Sequence, residues 1–174
     1  FDRKLERVTS VLERRPDVRA VVNDAAVVDR DLRPTGATSF SEHETAHVPL
    51  EKNFRGCATA LRRGFLTIAL PIDPRFGGHD VWLREFANVL GGTLYLREVL
   101  QLHRRHDANV SVPVGTKARP KNRVARFSRH LRNTWHTSSD GYERRAADLR
   151  RLADGMRRAA GRVGPPERER LLDA

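Results

Sequence analysis

The stretch VRAVVNDAAVV, residues 18 to 28, decides the fold class of this 174-residue chain. Its apolar residues come in paired patches, Val21-Val22 and the run from 25 to 28, with two polar residues between them. Neither the 3.6-residue period of a surface helix nor the strict alternation of a half-exposed strand describes this pattern. The stretch is compatible with a helix or with a strand, so the fold class must be inferred from the segments around it.

Most of the surrounding chain has the pattern of helices. Leu5, Val8 and Leu12 share one face of a helix expected over residues 1–15, which Pro16 ends. A short helix is expected over residues 57–63. Two longer helices, over residues 81–90 and 93–105, are expected on either side of Gly91-Gly92. A buried strand is expected only over residues 66–70, between a glycine and a proline.

The turn signal Arg33-Pro34-Thr35-Gly36 opens a polar connector that extends to about residue 53. The sequence therefore predicts a mainly α fold, a single helical domain with at most one short buried β-strand or hairpin, closing with two amphipathic helices. Two regions are expected: a near-neutral helical core, 1–107, and a basic helical region, 108–174. The second is divided into a flexible arm, an Arg-rich helix and a heptad helix, over residues 108–121, 122–136 and 140–163.

The composition excludes several classes of protein. Hydrophobic residues make up 39% and charged residues 32% of the chain, which is typical of a globular domain. No apolar run approaches the roughly 18 residues of a membrane helix, so no membrane partner is expected. Cys57 is the single cysteine, which excludes an intrachain disulfide and a cysteine-based zinc site. We expect an intracellular, reducing compartment, which includes cytoplasm, nucleus, organelle matrix and virion.

The net charge of +11 is distributed unevenly along the chain. Residues 1–96 carry 14 basic and 13 acidic side chains, whereas residues 97–174 carry 19 basic and 9 acidic ones. Such asymmetry indicates a polyanionic partner, and the planar guanidinium of arginine is suited to phosphate groups. The alternatives are a solvated helical surface that promotes solubility and an arginine-rich codon usage.

The run from 108 to 138 contains no acidic residue. In the helix expected over 122–136, Val124, Phe127, Leu131 and Trp135 form a narrow apolar stripe, and arginines occupy the opposite arc. Like charges packed this way repel one another unless an anion lies across them. The run therefore predicts a surface that binds a phosphate backbone, or alternatively an acidic protein surface, through Lys117, Arg119, Lys121, Arg123, Arg126, Arg129 and Arg132.

The last expected helix carries an apolar seam with a seven-residue spacing. Asp140 and Glu143 form a capping pair at its start, and Gly164-Pro165-Pro166 stops it. The seam predicts an intramolecular helical hairpin, with self-association as the alternative that would make the chain an assembly protein. The seam consists of Tyr142, Ala146, Leu149, Ala153, Met156, Ala160 and Val163. Outer arginines could extend the cationic surface: Arg144, Arg145, Arg150, Arg151, Arg157, Arg158 and Arg162.

The residues His43-Glu44-Thr45-Ala46-His47 form an H-E-x-x-H motif. This motif resembles the signature of zinc metallopeptidases, which implies His43 and His47 as zinc ligands and Glu44 as the base. Pro49 must end the helix soon after His47. Ser41 and Glu44 also match a capping box, and no third ligand stands in a family position. We interpret the motif as a coincidence and keep the peptidase as an alternative.

The residues Arg132-Asn133-Thr134-Trp135-His136 resemble the Arg-Asn-x-x-x-His helix of HEPN ribonucleases, with one residue fewer in the spacing. The resemblance implies metal-independent RNA cleavage, in which His136 acts on the ribose 2′-hydroxyl or the leaving oxygen. Arg132, with Arg129 on the same polar face, would support the phosphate. A HEPN-like ribonuclease is therefore a second alternative.

The expectation that these observations favour is a non-catalytic protein that binds nucleic acid, RNA or a nucleoprotein assembly more than a defined DNA site. Aromatic residues available for base stacking are few, which favours contacts with the backbone over sequence reading. No catalytic residue and no cofactor are expected for this function. A homo-oligomer or a larger nucleoprotein assembly would be compatible with it.

Overall fold

The computed structural model describes residues 3–106 and 139–174. In these ranges the chain forms helices, strands and two short 3-10 turns, which we label in chain order. The helices are α1 Lys4–Arg14, α2 Ser39–Thr45, α3 Arg63–Ala69, α4 His79–Leu90, α5 Ser139–Ala160 and α6 Pro165–Leu172. The strands are β1 Ala20–Val28, β2 Pro34–Thr38, β3 Thr59–Leu61 and β4 Thr93–Arg104. The 3-10 turns are Leu50–Lys52 and Gly56–Ala58.

Strand β1 is the centre of a four-stranded mixed sheet. Along one edge it pairs with β4 in parallel, from Ala20 opposite Thr93 to Val28 opposite Arg104. Along the other edge it pairs antiparallel with β3 at its start and with β2 at its end. The chain thus builds the sheet by bringing three distant segments to one strand.

Burial on both faces explains why the paired apolar patches of residues 18–28 form a strand. Val21 packs with Val8 and Val11 of α1 and with Leu100 of β4. Val22 belongs to the larger cluster on α2, α3, α4 and α5. A strand covered on both faces carries a nearly continuous apolar run instead of alternating residues.

The prediction of a mainly α fold is wrong, because the chain combines helices with this four-stranded sheet. Residues 93–105, predicted as a helix, form β4. The helix-like spacing of its apolar residues arises because the register with β1 shifts twice: β4 carries two extra residues between Leu96 and Val99, and one more between Val99 and Leu102. An irregularity of this kind is a β-bulge, and it breaks the two-residue alternation that marks a strand in a sequence.

Three shorter predictions are also wrong. Residues 66–70, expected as a strand, lie almost entirely in α3, and residues 57–63, expected as a helix, contain β3. The connector expected to extend to residue 53 contains β2 and α2. In each case the segment is only three to seven residues long, so its conformation depends on what it packs against more than on its own pattern.

The long amphipathic helices are confirmed. Helix α1 ends before Pro16, and α4 ends at Gly91, whose φ of 74° lies in the left-handed region that glycine adopts readily. Helix α5 ends three residues earlier than expected, and α6 follows it with two prolines at its start. The arm 108–121, the helix 122–136 and the hairpin that includes it lie outside the described residues.

The second half of α5 is packed into the larger cluster. Met156 and Ala160 are buried there together with Trp82 of α4 and Leu171 of α6. Gly155 lies directly against the Trp82 ring, where a Cβ atom would stand 2.3 Å from Cη2. The absence of a side chain at Gly155 is therefore what lets the two helices approach each other.

Candidate functional site

The two histidines of the H-E-x-x-H motif do not stand one helical turn apart. His43 lies in α2 and is buried, with 3% of its surface exposed. Helix α2 ends at Thr45, and His47 lies beyond it with a φ of 53°. Within residues 3–106 and 139–174, no three His, Cys, Asp or Glu side chains are grouped so that they could hold a metal ion. This geometry does not support a zinc peptidase.

The capping role expected for Ser41 and Glu44 is wrong. Thr38 is the N-cap of α2, and its side-chain oxygen accepts a hydrogen bond from the Ser41 backbone N–H at 3.1 Å. The Ser41 hydroxyl accepts one in return from the Thr38 N–H at 2.8 Å. Glu44 instead accepts a hydrogen bond from Arg97 of β4 at 2.6 Å, so its carboxylate is occupied by an ion pair.

A polar cluster lies where α2 meets the second half of β1 and the end of β4. Asp24, buried in β1, accepts hydrogen bonds through Oδ1 from the backbone N–H groups of Ala25 at 2.7 Å and Phe40 at 3.0 Å. Arg55 donates to the Ser39 hydroxyl at 2.7 Å, and its guanidinium lies 2.6 Å from Nδ1 of His103. Sequence reasoning missed this cluster, although the polar pair at 23 and 24 inside an apolar run was its signal.

Burial keeps the two histidines of this region neutral. Burial, together with the charges of Arg55 and Arg105, lowers the pKa of His103 to about 4. Burial also lowers the pKa of His43. A neutral His103 can accept a hydrogen bond from Arg55, which an imidazolium could not do. The histidines therefore act here as uncharged packing and acceptor groups.

The cluster balances its own charges. Arg105 forms an ion pair with Glu42 at 3.1 Å, and the two side chains are only 13% and 18% exposed. Burial and the charge of Arg105 lower the pKa of Arg55, and the carboxylates of Glu42 and Asp24 only partly oppose this shift. The cluster thus contains two cations and two carboxylates, of which Arg105 and Glu42 form an ion pair, while Arg55 and Asp24 are held by other polar groups. We assign the cluster a structural role, in which it fixes α2 and the 53–57 loop to the sheet.

The residues predicted to bind nucleic acid lie in the part of the chain that the structure leaves undescribed. This applies to all of Lys117, Arg119, Lys121, Arg123, Arg126, Arg129 and Arg132, and to His136 of the ribonuclease alternative. The structure does place the two ends of this segment: it leaves the end of β4 after His106 and enters α5 at Ser139.

Helix α5 carries cations on its outward face. Arg151 and Arg157 form ion pairs with Asp148 at 3.0 Å and Asp154 at 2.8 Å. Arg150 and Arg158 are exposed and make no hydrogen bond or ion pair within the described ranges.

Comparison of the chain with protein-family models, with curated proteins and with solved structures finds no match. Within the described ranges no helix has the length and apolar character needed to cross a membrane.

Proposed function

We propose that this protein binds nucleic acid non-catalytically, through contacts between arginine and lysine side chains of residues 117–132 and the phosphate backbone. The preferred partner is RNA, alone or in a nucleoprotein assembly. Phosphate contacts supply affinity without reading a sequence, which fits a chain in which aromatic residues make up only 6%.

The observation that carries the proposal is the difference in charge compensation between the two parts of the chain. In residues 3–106, 17 basic side chains accompany 13 acidic ones. Many of these cations are bound by the protein's own carboxylates, as in the Arg7–Glu98, Arg19–Glu167 and Arg97–Glu44 pairs. Residues 107–138 instead hold seven basic side chains and one acidic one, and so supply +6 of the net +11. That segment lacks the carboxylates that could neutralise it, and a polyanion would supply the missing charge.

The structure adds a supporting observation next to the segment. Helix α5 begins directly after residue 138, and Arg150 and Arg158 on it have no carboxylate partner in the described ranges. These two arginines could extend the contact along the same phosphate chain. A reducing compartment is part of the same proposal, and the exposed, free thiol of Cys57 supports it.

Charge reversal tests the proposal. Replacing Arg123, Arg126, Arg129 and Arg132 by Glu removes four phosphate contacts and adds four repulsive charges. We expect the affinity for a single-stranded RNA, measured by fluorescence anisotropy at low salt, to fall at least about a hundredfold. Affinity equal to that of the wild type would contradict the proposal.

A matched control separates local contact from net charge. Arg3, Arg15, Arg33 and Arg75 are exposed arginines, each paired with a carboxylate two or three residues away. Their replacement by Glu changes the net charge by the same amount on a surface that compensates itself. We expect this control to weaken binding far less than the first variant. Equal losses in the two variants would mean that only the total charge matters.

A further inference from the structure

An apolar groove lies between α4 and the first half of α5. Its volume is about 680 Å³. One wall is formed by Phe76, Val81 and Val89, and the other by Leu149 and Leu152, with Met156 at its inner end. Charged side chains, among them those at positions 84, 85, 145 and 148, line the groove as well. Its apolar walls with charged groups among them suit an amphipathic segment better than a charged small molecule.

The groove continues a packing surface that is covered elsewhere. Met156 and Ala160 of the α5 seam are buried against α4 and its neighbours. One and two heptads earlier on the same seam, Leu149 and Tyr142 are each 60% exposed. Within the described ranges, half of one continuous apolar seam is therefore packed and the other half is not. Large apolar side chains exposed next to a groove indicate a surface that receives a partner segment.

We propose that this groove receives the apolar stripe of residues 122–136 of the same chain. The segment 107–138 precedes α5 directly and joins it at Ser139, next to the uncovered half of the seam. The helix that the sequence predicts over 122–136 would be joined to α5 by a connection of two residues. Short connections make consecutive helices antiparallel neighbours, and a tether of this length gives the stripe a high effective concentration at the groove.

The spacing of apolar residues in the two segments matches. Antiparallel helices rise by the same about 1.5 Å per residue, so residues equally far from the connection lie at the same level. Phe127 and Leu149 are both eleven positions from Ser138, and Val124 and Leu152 are both fourteen positions from it. Trp135 would lie near Tyr142, close to the connection between the two helices. Phe127 and Val124, two of the four residues of the stripe, would thus lie level with leucines of the groove, and Leu131 would lie level with Arg145.

This docking would turn the arginines at positions 123, 126, 129 and 132 away from α5, because they occupy the arc opposite the stripe. The proposal goes beyond nucleic-acid binding and does not depend on it. It concerns the protein alone, and its test contains no nucleic acid.

Tryptophan fluorescence tests the docking, since Trp135 and the buried Trp82 are the two tryptophans of the chain. Subtracting the spectrum of a Trp135→Phe variant from that of the wild type isolates Trp135. We expect its emission at short wavelength and protected from acrylamide. In Leu149→Glu we expect its emission to move to longer wavelength and quenching to increase, because a charge in the groove would expel the stripe. Leu5→Glu, at an exposed leucine of α1, is the matched control and should change neither quantity.

Two outcomes would overturn the proposal. The first is emission from Trp135 in the wild type that already matches tryptophan in water. The second is self-association through the groove. In that case the mass from light scattering rises with concentration in the wild type and returns to that of the monomer in Leu149→Glu, while the emission of Trp135 stays unchanged. A second copy of the chain would then fill the groove. Should Leu149→Glu unfold the protein, a Cys57→Ser variant with cysteines introduced by Phe127→Cys and Leu149→Cys gives an independent test. Its rapid intramolecular disulfide formation would support the docking, and cross-linking no faster than in a Phe127→Cys, Leu5→Cys pair would contradict it.

Discussion

His103 shows how a single residue acquires a role that its neighbours in sequence do not predict. Among Leu96, Val99 and Leu100 it fits one face of a helix, and the sequence places it there. In the structure it lies at the end of a strand and faces Arg55, which is far away in the chain. The contact with Arg55 depends on how the segment before β3 folds back onto the sheet, so the residues next to His103 in the sequence do not predict it. The polar residue Asp24 is different, because its position inside an apolar run is visible in the sequence.

The low pKa of His103 leads to a prediction about pH. In the unfolded chain a histidine titrates near 6.5, whereas burial and two arginines hold the pKa of His103 at about 4 in the folded state. Between these values the unfolded state binds more protons, so stability is complete above about pH 6.5 and is lost as the pH falls toward about 4. The lowered pKa of His43 acts in the same direction.

We therefore expect the free energy of unfolding of the wild type to decrease from pH 7 to about pH 5. In His103→Gln this decrease should be smaller by about 1–2 kcal/mol. Glutamine retains an acceptor for Arg55 but cannot bind the proton. Urea unfolding at the two pH values measures the difference. His47→Gln, at an exposed histidine, is the control and should retain the wild-type pH dependence. A decrease of the same size in His103→Gln would show that the imidazole does not cause it.

At the scale of elements, the sequence predicts those helices that are long enough to display several turns of their pattern. Helices α1, α4 and α5 each carry a stripe that repeats over eleven residues or more, and all three are where they were expected. Strand β4 is just as long, but its bulge and its burial beside β1 give it the spacing of a helix. Pairing between distant segments overrode the local pattern there.

The contact between α5 and α4 gives a prediction at this scale. Trp82 is held by a hydrogen bond from its Nε1 to the Ala69 carbonyl at 2.8 Å, and its ring stacks on Phe86 at 5.4 Å. A methyl group on Gly155 would overlap this fixed ring. Gly155→Ala should therefore lower the free energy of unfolding by about 1–2 kcal/mol, since overpacking outweighs the gain in helix propensity.

Urea unfolding of Gly155→Ala measures this loss, and Gly64→Ala supplies the comparison. Gly64 lies in α3, and apart from its chain neighbours and the backbone of its own helix no atom stands within 4 Å of where its Cβ would be. There the helix propensity acts alone, so we expect a gain of up to about 1 kcal/mol. A gain of equal size at Gly155 would mean that the two helices can separate without cost.

At the scale of the whole molecule, the charge distribution could be derived from the sequence while the fold class could not. Counting charges needs no knowledge of packing. The count places most of the excess positive charge in residues 107–138, and cations of residues 3–106 such as Arg7 and Arg97 form ion pairs with the protein's own carboxylates. The sheet depends on the pairing of β1 with three other segments, the farthest of which is 73 to 76 positions away along the chain. A pattern within a few neighbouring residues does not contain that information.

The proposed binding has a quantitative signature in its salt dependence. Each phosphate contact to a single strand contributes about 0.7 to the slope of log affinity against log salt concentration. Replacing Arg123, Arg126, Arg129 and Arg132 by Gln should therefore reduce that slope by about 3. The same replacement at Arg3, Arg15, Arg33 and Arg75 should leave it nearly unchanged. An unaltered slope in the first variant would show that these arginines do not contact phosphates.

The bulge in β4 also affects how readily the sheet can pair with strands of other copies of the protein. Its two extra residues, Arg97 and Glu98, reach Glu44 of α2 and Arg7 of α1. The irregularity therefore ties one helix from each apolar cluster to the sheet. It also interrupts the outer margin of a twelve-residue strand with charges and an uneven backbone. A strand from another molecule could not keep a continuous hydrogen-bonding register past this bulge. The bulge that gives β4 the sequence pattern of a helix therefore also opposes aggregation through this edge of the sheet.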